Sequence, residues 1–361
     1  MWQSFNCNAQ NTTMKTETIP IIQPSSALKE LPYAIQELEG GVILATSYFG
    51  GWCFLNAEEL NVLQTKQYTG DEKLRNKLLK AGILLTGTNE QDIITQYQTL
   101  NRNLFLKPSL HIINTTNVCN YRCTYCHAGV SQGDSKMTPE TGLDVVSFIL
   151  AHGNDNLTVE FQGGEALINF ETVRTVTSEL RRKNAMLAQP KNLNICIVSN
   201  LSLLTQEKLD FLTEHDVSIC TSLDGIESVH NTNRVTIGGS DTHAGTITKI
   251  KELQAYYKKC NKPSLVGALC TVTRHALPHA REIIDLYRSI NLNTIHLRPL
   301  NNLGDALNTW DNLSYEAEDF VKFWTEAMDH VIELNKQGHM MIERGSLNML
   351  SKILIFEDPL Y

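Results

Sequence analysis

Residues 109–126, SLHIINTTNVCNYRCTYC, set a β-rich run directly against three closely spaced cysteines. Cys119, Cys123 and Cys126 follow the run with the spacing C-x3-C-x2-C, and the aromatic Tyr125 stands before the last of them. From this point the chain keeps a steady rhythm. β-rich runs at 109–116, 157–164, 193–200, 217–225, 264–273 and 294–300 alternate with amphipathic stretches that start at Thr138-Pro139, Asn169, Thr205, near Thr242 and near His275. Thr138, Asn169 and Thr205 are N-cap types, and Pro139 stands at the favoured first helical position. Strands alternating with helices run parallel through right-handed crossovers, so the pattern predicts an α/β fold built on a partial (β/α)6 TIM-like barrel. In such barrels the working residues sit on loops beyond the C-terminal strand ends.

Upstream, the rhythm is different. Residues 1–30 are rich in Asn, Thr, Gln, Ser and Pro without a sustained period, and a mobile tail is expected. The run GVILATSYFGGWCFLN (41–56) reads as two strands turned at Gly50-Gly51. Asn56 and Glu59 then form a capping box, and DEKLRNKLLKAG makes a second helix ending at Gly82. Residues 31–105 therefore form a small N-terminal α+β unit, winged-helix-like, before a core at 106–300. After that core comes a polar connection and a helix from about Tyr315 to Gln337, whose Phe320, Trp324, Met328, Val331 and Leu334 share one packing face within a C-terminal segment, 301–361.

Composition narrows the function. The 361 residues are 42% hydrophobic and carry a formal charge of −8, with no basic stripe interleaved with aromatics, which argues against nucleic acid as a partner. No apolar run reaches the roughly 18 residues needed to cross a bilayer, and the start lacks a signal-peptide pattern, so a cytoplasmic protein without membrane association is expected. In that compartment the nine cysteines are ligands or thiols rather than disulfides. Cys7, Cys53, Cys196, Cys220, Cys260 and Cys270 read as ordinary buried thiols, and none follows Cys270.

Three thiolates suit a 4Fe-4S cubane with one iron left open. S-adenosylmethionine can chelate such an iron, and an electron from the cluster breaks its S–C bond to give a hydrogen-abstracting radical. The competing reading is zinc held by these cysteines and His127. Against it, all four ligands would come from one loop of nine residues instead of two separated knuckles. The second strand ends in Gln162-Gly163-Gly164-Glu165, where glycines allow close approach to the backbone and Glu165 is suited to accept hydrogen bonds from the ammonium of bound methionine.

The cysteine loop followed one βα unit later by GGE resembles the radical S-adenosylmethionine superfamily over residues 109 to about 300, with Ala166 where the family motif has proline. Ser222-Leu223-Asp224-Gly225, His230-Asn231 and Arg234 resemble the signature of SPASM-type peptide and protein maturases, which include the anaerobic sulfatase maturases. The strings EFQGGEALINF, TSLDG, VHNTNR and IHLRPL most resemble maturases of the His-Xaa-Ser peptide system. The resemblance implies a 4Fe-4S cluster on Cys119, Cys123 and Cys126, and S-adenosylmethionine bound with the help of Tyr125, Gly163, Gly164 and Glu165. It further implies that Ser199, Asn200, Ser222 and Arg234 approach the cofactor's ribose or carboxylate, strand-end capping or a loop ion pair being the alternative for each. The fifth strand's GALCTVT packs an adenine or the core. Arg298, opposite in phase to Leu297, points into the barrel mouth or onto the surface.

What the resemblance implies for function is an oxidoreductase-type maturase that abstracts hydrogen from a ribosomal peptide or protein, with flavodoxin or ferredoxin as low-potential electron donor. No residue is singled out as the proton donor or acceptor. Residues 31–105 resemble PqqD-like leader-peptide recognition modules, which add an extended leader as a strand at a sheet edge. Maturases of this kind carry a cysteine-rich C-terminal extension for auxiliary clusters, so the want of cysteines after 270 leads to the expectation of a chain cut short before it, or working without it. The alternatives are a radical SAM activase or small-molecule enzyme, and a non-catalytic remnant that binds a leader peptide or partner enzyme.

Overall fold

The computed structural model describes residues 28–102, 107–128, 135–239, 241–264 and 266–355. The chain divides between Leu104 and Phe105 into two compact units.

The first unit is a three-stranded antiparallel sheet, in the order β1 (Tyr33–Glu37), β2 (Ile43–Ser47), β3 (Trp52–Leu55), with helices α1 (Ala57–Gln64), α2 (Glu72–Lys80) and α3 (Glu90–Leu100). The turn at Gly50-Gly51 closes as expected, with Gly50 N donating to Ser47 O at 3.1 Å and Gly50 at φ +99°. So does the capping box: Glu59 N donates to Asn56 Oδ1 at 2.8 Å, and Asn56 N to Glu59 Oε2 at 3.0 Å. Ile43, Ala45, Leu55, Leu63, Leu74, Leu78 and Ile83 bury a small core. Strand β1 and helix α3 were not expected. Lys29–Glu30, the end of the expected tail, pairs with Leu84–Leu85, so the tail reading fails there; its remainder, with Cys7, lies outside the described residues.

The second unit is an open half-barrel of six parallel strands: β4 (Leu110–Asn114), β5 (Asn156–Gln162), β6 (Asn192–Val198), β7 (Val217–Ser222), β8 (Val266–Val272) and β9 (Leu297–Pro299), ordered β9-β8-β7-β6-β5-β4. The partial TIM-like barrel is thus as the alternation predicts. Its helices are α4 (Pro139–His152), α5 (Phe170–Ala185), α6 (Gln206–Glu214), α7 (Glu227–Asn233), α8 (His243–Lys259), α9 (Ala280–Ser289), α10 (Ala306–Leu313), α11 (Ala317–Lys336) and α12 (Arg344–Ile355).

Strand alternation sorts the side chains into two faces. Val159, Phe161, Ile195, Ile197, Val217 and Ile219 are buried with Val173, Val176, Leu212, Ile250, Ile283 and Ile284 in one continuous core. The opposite phase, Glu160, Gln162, Cys196, Cys220 and Ser222, is half-buried and lines the inside of the half-barrel. Cys196 and Cys220 are therefore lumen-facing rather than core thiols, and Cys260 is exposed; only Cys53 and Cys270 are buried as expected. On α11, Val331 and Leu334 join the core together with Phe323 and Ala327, and Phe320, Trp324 and Met328 pack against it.

Two helix starts behave as expected: Thr138 Oγ1 accepts from Thr141 N at 3.2 Å and Thr205 Oγ1 from Lys208 N at 3.4 Å. Asn169 stands at a helix start but its side chain does not cap it. Its Nδ2 instead donates to Thr115 O and Met137 O, both at 2.8 Å, which ties α5 to the chain leaving β4. The sixth predicted strand is broken at His296 into Thr294–Ile295 and β9.

Candidate functional site

The cysteine loop leaves β4 and is held at three places by other parts of the half-barrel. On its near side, Gly164 N donates to Thr116 O at 2.8 Å and Glu165 N to Val118 O at 2.9 Å. A Cβ on Gly163 would lie 2.3 Å from Thr116 O, and one on Gly164 2.3 Å from Val118 O. The glycine pair therefore makes room for the cysteine loop's own backbone where a side chain would stand, while both glycines also line the cavity. In the middle, Tyr121–Cys123 pairs antiparallel with Arg234–Thr236. On the far side, Asp305 N donates to Cys126 O at 2.7 Å and Thr309 Oγ1 to Thr124 O at 2.7 Å, with Gly304 at φ +64° allowing that approach.

The Glu165 side chain links two strand ends, those of β5 and β6. It is 1% exposed, and its carboxylate accepts from Leu167 N at 3.0 Å and Ser199 Oγ at 2.8 Å on one oxygen, and from Asn200 N at 2.7 Å on the other. A carboxylate offers about four acceptor positions, so Oε2 keeps one in hand. Burial raises the Glu165 pKa against these three bonds. Asn200 reaches back with its Nδ2 to Asn120 Oδ1 at 2.9 Å, inside the cysteine loop.

A second knot lies behind the loop. Arg234 Nη1 donates to the Tyr125 hydroxyl at 2.6 Å, which donates to Asp224 Oδ2 at 2.7 Å; Thr271 N donates to Asp224 Oδ1 at 3.2 Å. Burial opposes the Arg234 charge, but Cys123, Tyr125 and Asp224 around it hold its pKa well above the ordinary value. The resemblance sends Arg234 towards the cofactor, whereas its hydrogen bond here is to Tyr125. Asp224 N also donates to His230 Nδ1 at 3.2 Å, and Asn231 Oδ1 accepts from Thr242 N and His243 N at the head of α8. The string from Ser222 to Arg234 thus braces the loop after β7 against the cysteine loop. Asp224, quoted in that string but given no role from sequence, is its buried centre.

All eleven sequence-predicted residues line one cavity of about 280 Å³: Cys119, Cys123, Tyr125, Cys126, Gly163, Gly164, Glu165, Ser199, Asn200, Ser222 and Arg234. Sequence reasoning did not pick out Glu160, Gln162 and Thr271, which share it. Strand alternation was the available signal for the first two. Arg298 also lines the cavity, as its phase against Leu297 predicts for the inward alternative, while His296 lies towards the opposite end of the half-barrel.

The donor set fits an iron–sulfur cluster. The three thiols are half-buried on one clamped loop, and Tyr121 N donates to Cys119 Sγ at 3.3 Å. Burial pushes the Cys119 thiol up and that of Cys123 up to about 11, so metal must displace their protons, and the Arg234 guanidinium beside Cys123 favours its thiolate. Among the described residues no group of three His, Cys, Asp or Glu side chains is gathered as a site for a single metal ion.

Comparison with known proteins agrees with this geometry. The profile of the radical SAM superfamily matches residues 113–267. The cysteine-type anaerobic sulfatase-maturating enzyme of Clostridium perfringens is 25% identical over 257 residues, 68% of this chain and 66% of that protein. The radical SAM cyclopropyl synthase TigE of Paramaledivibacter caminithermalis is 28% identical over 155 residues, 38% of this chain and 31% of that one. The chain thus spans 66% of the sulfatase-maturating relative's length. Among solved structures, native anSMEcpe with bound AdoMet and the Cp18Cys peptide shares the fold with a TM-score of 0.60 at 24% identity, covering 69% of this chain and 66% of that one. Streptococcus suis SuiB bound to its precursor peptide SuiA superposes with a TM-score of 0.50 at 12% identity, covering 87% and 71%. With the profile seated on the half-barrel, the cysteine loop and the Glu165 strand end, residues 113–267 of this chain form a radical SAM superfamily domain, with the anaerobic sulfatase-maturating enzymes among its relatives.

Proposed function

We propose that the chain is a radical SAM maturase acting on a ribosomally made peptide or protein. The observation that carries this reading is the meeting of three clamped thiols and the buried Glu165 carboxylate in one cavity at the C-terminal strand ends. Cys119, Cys123 and Cys126 would hold a 4Fe-4S cluster, which supplies reductive cleavage of S-adenosylmethionine to a 5′-deoxyadenosyl radical and so hydrogen abstraction from the substrate. Glu165 offers its remaining acceptor position to the methionine ammonium while Ser199 and Asn200 fix its orientation. Ser222 lines the same wall for the ribose or carboxylate, and the Tyr125–Arg234–Asp224 knot keeps the loop in place. Gln162, held by Glu160 on the cavity wall, is placed to bond the substrate.

Relatives include a sulfatase-maturating enzyme and a cyclopropyl synthase, and the solved structures that share the fold include complexes with the Cp18Cys peptide and with a precursor peptide, which supports a peptide substrate. The small N-terminal unit suits leader binding: β1 and β3 are the edges of its sheet, and Trp52 and Phe54 stand exposed on β3, 5.3 Å apart. The same reading makes it a cytoplasmic enzyme reduced by flavodoxin or ferredoxin; no helix among the described residues is long and apolar enough to cross a membrane.

Anaerobic reconstitution with iron and sulfide tests the reading. The expected product is a brown protein with close to four irons per chain that releases 5′-deoxyadenosine with dithionite, and Cys→Ala at 119, 123 or 126 abolishes both. A colourless protein holding stoichiometric zinc would overturn it.

A further inference from the structure

The charged groups of the cavity are accounted for with one exception. Glu165 accepts three hydrogen bonds, Arg234 donates to Tyr125, and Glu160 accepts from Gln162 Nε2 and, at 3.4 Å, from Cys196 Sγ. Burial first, and the positive charge of Arg298 after it, lower the pKa of His127 at the rim. Arg298 itself lines the cavity half-buried and has no hydrogen-bond or ion-pair partner among the described residues. It is fixed by the ladder, Thr271 pairing with Arg298, while Leu297 beside it is 3% exposed in the core. A guanidinium presents five donors in a planar fork that matches a carboxylate. Holding one partly desolvated and unpaired costs free energy, which an incoming anion offsets.

We propose that Arg298 binds a carboxylate of the substrate peptide, an acidic side chain or its C-terminus, and so selects which segment enters the cavity. This rests on the maturase reading above. The other carboxylate due in this cavity is that of the cofactor's methionine, whose amine and carboxylate share one carbon. Glu165 follows β5 and Arg298 sits on β9, four strand spacings apart, an arc of about 19 Å along the curved sheet at roughly 4.8 Å per spacing and a shorter span straight across the cavity. A methionine whose amine docks at Glu165 keeps its carboxylate, one carbon away, on the β5 side, and leaves the Arg298 fork on the far wall for the substrate.

The test uses the anaerobically reconstituted full chain with fluorescein-labelled peptide pools of equal length and randomised background. One pool fixes Asp at its centre with an amidated end, one fixes Asn there with an amidated end, and one fixes Asn with a free C-terminus. Binding is read by fluorescence anisotropy and S-adenosylmethionine binding by equilibrium dialysis, for wild type, Arg298→Gln and Arg298→Glu. The expected result is at least about tenfold tighter binding of the Asp pool or the free-C-terminus pool than of the amidated Asn pool, a charge-assisted bond being worth that much. Whichever pool wins identifies the source of the carboxylate. The preference vanishes in Arg298→Gln and turns to exclusion in Arg298→Glu, with S-adenosylmethionine affinity within about twofold of wild type. Equal binding of all pools by wild type overturns the proposal, as does a tenfold loss of S-adenosylmethionine affinity in Arg298→Gln with peptide preference retained, which would give the fork to the cofactor. A wild-type protein that takes up no iron overturns the underlying maturase reading instead.

Discussion

Ser199 on the chain leaving β6 donates a 2.8 Å hydrogen bond to the Glu165 carboxylate on the chain leaving β5, and the next backbone amide, Asn200 N, donates to the other carboxylate oxygen at 2.7 Å. One buried side chain thereby fixes two adjacent strand ends and still has an acceptor position open towards the cavity. Glu165→Ala removes both services. It is expected to retain the cluster, because the carboxylate is not a ligand, yet to weaken S-adenosylmethionine about 10- to 150-fold, the worth of roughly 1.5–3 kcal/mol for a charged hydrogen bond. Equilibrium dialysis on the reconstituted variant measures this; unchanged affinity would reduce Glu165 to its bracing role.

The glycine pair offers a cleaner separation of fold from site. In Gly164→Ala the new methyl meets Val118 O at 2.3 Å and Cys119 N at 2.9 Å, so the cysteine loop must move. Iron content after reconstitution should fall by at least half while the far-UV circular dichroism stays that of wild type. Gly267→Ala on β8, where a Cβ meets nothing within 4 Å, is the matched control and should keep full iron. Equal iron in both variants would show that the loop tolerates displacement.

A pH effect follows from His230, which is buried at the back of the Asp224 loop. Burial first, then the charge of Arg234, brings its pKa down from 6.5 to about 3. The unfolded chain then binds a proton that the folded chain refuses between those values, so stability rises with pH across the window. His230 contributes its full stabilisation above about pH 6.5 and loses it progressively as the pH falls towards 3. His230→Asn keeps an acceptor for Asp224 N, and its urea midpoint should depend on pH less steeply than that of wild type, by close to one proton, between pH 6 and 4. Parallel slopes for the two proteins would show that the ring is protonated in the fold.

The half-barrel was legible because its strands alternate and its helices start with caps, and both signals are local. The overhangs of the predicted strands are instructive. Runs drawn to 116, 164, 200 and 225 in fact leave the ladder at Asn114, Gln162, Val198 and Ser222. The surplus residues, Thr116, Gly163, Gly164, Ser199, Asn200 and Asp224 among them, are mostly types that strands disfavour and spend their hydrogen bonds across loops. Their partners lie 34 residues away for Ser199 and Glu165, and 99 for Tyr125 and Asp224, beyond the reach of any local pattern. For the same reason the bond of Arg234 to Tyr125 across 109 residues, which sets a bracing contact beside its place on the cavity wall, could not be read locally. Strand β1, with four of its five residues exposed, carries no hydrophobic alternation by which to be found.

The far clamp on the cysteine loop sets an order of events during synthesis. Thr309 reaches Thr124 across 185 residues, so a ribosome adding about 5–20 residues per second delivers that clamp on the order of ten to forty seconds after the cysteines have emerged. Through that interval the thiols hang on a loop whose last turn has nothing to close against. If the proposed cluster is built here, iron delivery is expected to follow the completion of β9 and α10, and a nascent chain stalled before them would present three thiols to whatever oxidant or stray metal arrives first.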